Sequence, residues 1–189
     1  PHHAARLDEM LWQRNHVDAQ RMFDLVSDAD KALAEVRMAL QKREGDVNAM
    51  IDALPASKAS DPGLQADRFE WRIRKGFQDS AKELILSQSV SATALGHPSA
   101  WSNRRRALAR DEMRNGDPAR AYKIASRHFL ESGSDFADLE WLSGYLALRF
   151  LKKPKLALTH FQKHDDAVES PISQGRAGYW QGRALEAMG

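Results

Sequence analysis

A chain of 189 residues, 42% hydrophobic and 29% charged, is long enough to bury a core, and no apolar run approaches the ~18 residues of a membrane span. Its 28 alanines and 20 leucines stand against 13 valines, isoleucines and threonines together, a balance that favours helix and leaves a sheet without its preferred residues. The net charge of +2 is small beside the footprint of a nucleic-acid binder, and the absence of cysteine excludes disulfides, thiolate nucleophiles and cysteine-based metal sites.

The expected fold is therefore all-α. Residues 1–5, with the pair His2 and His3, are expected to be a tag or a disordered lead. Five prolines then mark helix starts: Pro62, Pro98, Pro118, Pro154 and Pro171 sit where N1 is expected, with Asp61, Asp117 and Ser170 as N-caps, since proline at N1 loses no helical hydrogen bond. Gly45, Gly76 and Gly116 mark tight turns, and five residues after each comes Met50, Ala81 or Ala121, a position where a second helix would pack closely on the first. Ala157 fills the same place after Lys153-Pro154. The serine-rich stretches 56–61 and 87–99 read as loops between helix pairs.

From Leu139 to Phe150 the apolar residues form two adjacent stripes, whereas Ala157, Phe161, His164 and Val168 form one narrow stripe. A wide-faced helix joined by a short turn to a narrow-faced one is an α-hairpin in a stack. The spacing of these units, near that of a tetratricopeptide repeat, predicts about five irregular helix pairs followed by a terminal helix over 171–188. Trp71, Trp101, Trp141 and Trp180 keep a similar spacing and read as core knobs between successive helices.

Three ordered segments carry a resemblance. Pro171-Ile172-Ser173 with Arg176-Ala177-Gly178-Tyr179-Trp180-Gln181-Gly182-Arg183-Ala184-Leu185-Glu186-Ala187-Met188-Gly189, the stretch from Ala137 to Leu151, and Asp61-Pro62-Gly63-Leu64 with Arg68-Phe69-Glu70-Trp71-Arg72 and Arg74-Lys75-Gly76 together resemble soluble lytic murein transglycosylases of the alphaproteobacterial type. The resemblance spans residues 7–189 and concerns that family's N-terminal α-superhelical domain. It implies one domain over 1–189, a right-handed superhelix or α-solenoid of irregular tetratricopeptide-like helix pairs, in the periplasm. The family's lysozyme-like domain is expected to follow Gly189. There a Glu in a Glu-Ser motif cleaves between N-acetylmuramic acid and N-acetylglucosamine with formation of a 1,6-anhydro product.

Within the chain, Glu131-Ser132 and Glu169-Ser170 are the two Glu-Ser pairs, but each reads as a turn and a helix N-cap and lacks the aromatic that follows in the family. No catalytic residue is expected here. His160 and His164 share a helix face, yet the Glu of a His-Glu-x-x-His metal motif is missing, so the pair reads as packed or solvent-facing and no metal or cofactor is implied. Arg104, Arg105, Arg106 and Arg110 form the densest basic run and are the candidates for binding glycan or the carboxylates of peptide stems. The competing reading is a solvated helix face. By the resemblance, Tyr179, Trp180, Arg183 and Glu186 are candidates for docking the catalytic domain. The expected partners are peptidoglycan, that lysozyme-like domain and other proteins, with no nucleic acid and no membrane span. Repeat architecture alone equally supports a free-standing tetratricopeptide-like adaptor for a protein partner.

Overall fold

The computed structural model describes residues 2–189, which form twelve α-helices and, among the described residues, no strand. In chain order these are α1 (His2–Trp12), α2 (His16–Arg21), α3 (Asp28–Lys42), α4 (Val47–Asp52), α5 (Pro62–Arg74) and α6 (Gln78–Gln88). They are followed by α7 (Ala92–Leu95), α8 (Ser99–Asn115), α9 (Pro118–Ser126), α10 (Gly133–Arg149), α11 (Pro154–Asp166) and α12 (Pro171–Glu186).

The starts follow from local chemistry. Asp61, Asp117 and Ser170 each cap their helix, accepting from the backbone N–H of Leu64, Ala119 and Ser173, and Pro62, Pro118, Pro154 and Pro171 occupy the first helical turn. Pro98 differs: it is the N-cap of α8, and Ser99 opens the helix. Gly45 and Gly76 turn with φ of 72° and 83°, the left-handed region that glycine enters without steric cost. Two expectations are corrected. Residues 2–5 are not a disordered lead but the first turn of α1, because Leu7 and Leu11 of that helix are buried and Ala4 and Ala5 favour helix; Pro1 lies outside the described residues. The stretches 56–61 and 87–99 are not wholly loop: Ala56–Lys58 makes a 3-10 turn and Ala92–Leu95 a short helix.

The chain forms two compact units, one running to Leu84 and including Thr93–His97, the other comprising Ile85–Ala92 and Pro98–Gly189. In the first, α3 is central and packs on α1, α4 and α5. Its apolar interior has two clusters, Leu7, Leu11, Ala19, Met22, Ala34 and Met38, and Leu33, Val36, Leu40, Val47 and Leu64. In the second, each of α8 to α11 packs on its successor, and α8 also meets α10 as α10 meets α12.

The α10–α11 contact is close because its residues are small. Ala147 and Ala157 are fully buried, and a Cβ at Gly144 would stand 2.6 Å from the Phe161 ring. Phe161 stacks on Trp180, and Trp180 meets Trp141 edge-on. Trp101 is fully buried, and Trp71, Trp141 and Trp180, each half-buried, pack against the apolar clusters of their units, so all four tryptophans serve packing.

Candidate functional site

The basic run of α8 does not form one patch. Successive helical residues lie ~100° apart, so Arg104, Arg105 and Arg106 leave α8 on different sides. Arg105 is fully buried: its Nη1 donates to the Ile124 carbonyl at 2.7 Å and its Nη2 to Ser89 Oγ at 2.8 Å. Ile124 stands near the C-terminal end of α9, where carbonyls lack intrahelical partners and the helix dipole is negative, so the guanidinium acts as a side-chain cap. Burial lowers its pKa to about 9, which leaves it charged at neutral pH. Arg105 is therefore corrected: it is withdrawn from any glycan-facing surface by the α8–α9 contact. Arg106 is committed differently, to Asp138 and to Asp135 (3.3 Å) on α10. Arg104 and Arg110 are half-buried.

The terminal helix also separates its candidates. Ala177 and Ala184 are buried on one face of α12 with Trp180 half-buried beside them. Trp180 packs over Phe161 against this core and stays half-buried. Tyr179 is 61% exposed, and Arg183 pairs with Glu186 at 2.7 Å on the exposed side. Ser132 and Ser170, the serines of the two Glu-Ser pairs, are the N-caps of α10 and α12.

Sequence reasoning missed the polar interior that joins α9, α10 and α11. Glu140, 3% exposed, accepts from His128 Nε2 at 3.2 Å and from His160 Nδ1, with Lys163 Nζ at 3.6 Å. His128 Nδ1 accepts the Leu130 N–H, which places its own proton on Nε2, and His160 Nε2 meets the Tyr122 hydroxyl at 2.9 Å. Burial raises the Glu140 pKa, but hydrogen bonds from His128 and His160 and the charge of Lys163 outweigh it and hold the carboxyl at about 2. Tyr122, His160 and Glu140 have the connectivity of a proton relay. Burial pushes the Tyr122 hydroxyl up, away from the phenolate form, and the set ties three helices together.

His164, the other half of the histidine pair, is fully buried and donates from Nδ1 to the Ala137 carbonyl at 2.8 Å. Burial lowers its pKa, so it is a neutral packed histidine. No group of three or more metal-ligating side chains gathers among the described residues.

The first unit has a polar centre of its own. Arg37, fully buried, donates from Nε to Asp67 at 2.8 Å and pairs through Nη1 with Asp8, while its guanidinium lies 5.0 Å from the Trp12 ring. Gln41 adds a bond to Asp67 at 2.9 Å and another to the Leu11 carbonyl. The guanidinium fits only because residue 63 is glycine, where a Cβ would approach it to 2.2 Å. Trp12 continues the stack onto His97, with centroids 4.2 Å apart.

No helix among the described residues is long and apolar enough to cross a membrane. In the comparisons with known proteins, no family profile, no curated protein and no solved structure matches this chain.

Proposed function

We propose that this chain is the superhelical scaffold domain of a periplasmic soluble lytic transglycosylase, a non-catalytic stack of helix pairs that positions a catalytic domain and the glycan strands offered to it. The observation that carries the reading is the packing of the second unit, read beside the three sequence segments. Each helix from α8 to α11 meets the next, and of the first helices of successive pairs α8 meets α10 and α10 meets α12. Such contacts support a reading as stacked hairpins, in which each unit touches only its neighbours. Such a stack offers an extended surface for a polymer or a second domain and little material for a dry catalytic pocket. Arg104 and Arg110 are the proposed contacts to peptidoglycan carboxylates; Tyr179, with the Arg183–Glu186 pair, is the proposed contact to the catalytic domain.

The test is co-sedimentation with insoluble peptidoglycan sacculi over a salt series, comparing the wild-type chain with an Arg104→Ala/Arg110→Ala variant that spares the buried Arg105. The reading expects pelleting that weakens with salt and falls in the variant. A chain that stays in the supernatant at every salt concentration does not hold glycan.

A further inference from the structure

At one end of the second unit, the turn between α10 and α11 and the last turn of α12 line a pocket of about 490 Å³. Pro154, Leu156 and Met188 supply apolar lining, Lys153 and Lys155 supply charge, and no carboxylate lines it. The same turn adds Arg149 and Lys152, both exposed like the two lysines. Among the described residues none of these four side chains forms an ion pair, whereas Arg106 and Arg183 in the same unit are each matched to a carboxylate.

Lys152 has φ of 54°, a left-handed conformation that glycine adopts freely and a lysine only at a cost. The turn therefore holds a cation where the backbone alone favours glycine. Unmatched positive charge beside an aliphatic recess complements a ligand that is acidic along its length and apolar at one point. We propose that this pocket docks an acidic peptide segment of a partner protein, with one apolar side chain of that segment seated against Leu156 and Met188. The proposal does not rest on the scaffold reading, since it needs neither glycan nor a catalytic domain.

The experiment is fluorescence anisotropy of a short dye-labelled peptide with a Leu-Phe centre flanked by glutamates, titrated with the whole chain. Its lysine-flanked counterpart, single-stranded DNA and phosphatidylglycerol vesicles are run beside it. The expected result is saturable, salt-sensitive binding of the glutamate peptide alone, weakened about tenfold or more by Lys153→Glu/Lys155→Glu through reversed charge. Lys152→Gly separates binding from folding: it is expected to keep or raise the melting temperature while weakening the peptide. Absence of saturable binding, equal binding of the lysine-flanked peptide, an unaffected double variant, or binding only of DNA or vesicles each overturns the proposal.

Discussion

Glu140 and Arg105 are two buried charges held in opposite ways, and both were misjudged or unseen along the sequence. Glu140, at about 2, titrates below its ordinary 4.5. A depressed carboxyl contributes stability that is complete above the unfolded value and is lost as pH falls from about 4.5 toward about 2. Glu140→Gln is therefore expected to flatten the pH dependence of the urea midpoint in that window. At neutral pH it costs about 3 kcal/mol, because the cationic and hydrogen-bonding groups around it lose their carboxylate. An unchanged pH profile would show that Glu140 is not held ionised by this network. Arg105 has no carboxylate and relies on the Ile124 carbonyl and Ser89. Arg105→Met keeps the volume but orphans a buried carbonyl and is expected to cost about 1–2 kcal/mol; Arg105→Ala adds a cavity and roughly 2 kcal/mol more. Thermal unfolding of the two variants checks that order.

At the scale of the element, the glycines of α10 and α12 do different jobs that their sequence context does not distinguish. Gly175, Gly178 and Gly182 of α12 have open space where a Cβ would be, whereas at Gly144 of α10 a Cβ would press on the Phe161 ring. Alanine at each of the three α12 sites is expected to stabilise by up to about 1 kcal/mol through helix propensity alone. Gly144→Ala is expected to destabilise by about 1–3 kcal/mol through overpacking of the α10–α11 contact. Differential scanning calorimetry on the single variants decides it, and a stabilised Gly144→Ala would mean that the two helices can move apart cheaply. The helix starts were legible because a cap is a local device: an Asp or Ser and a proline within one turn suffice. The close-packing alanines of the α8–α9 and α10–α11 contacts were legible too: Ala121 and Ala157 are fully buried. Met50, at the same spacing after Gly45, is only half-buried, since α4 is a short helix with Val47 as its one buried residue.

At the scale of the molecule, the proposed hold on peptidoglycan rests on few charges, because much of the basic run is spent internally. With Arg105 buried and Arg106 paired to α10, a triple alanine variant of Arg104, Arg105 and Arg106 is expected to lose sacculus binding by unfolding. The Arg104→Ala/Arg110→Ala variant is expected to lose it while remaining folded, with a melting temperature above that of the triple variant. Measuring pelleting and melting on both separates a binding role from a structural one.

An all-helical chain with capped starts and glycine turns follows from composition and near-neighbour chemistry, because those effects act within one turn of backbone and need no partner. Which arginine faces outward, which histidine is a core residue and where an acid can stay ionised away from water depend on helices that meet across long separations. Arg105 reaches a carbonyl 19 residues away and His160 a carboxylate 20 residues away. A run of three arginines looks the same whether its helix is buried on one side or free, so only the neighbours of α8 assign each of them its role.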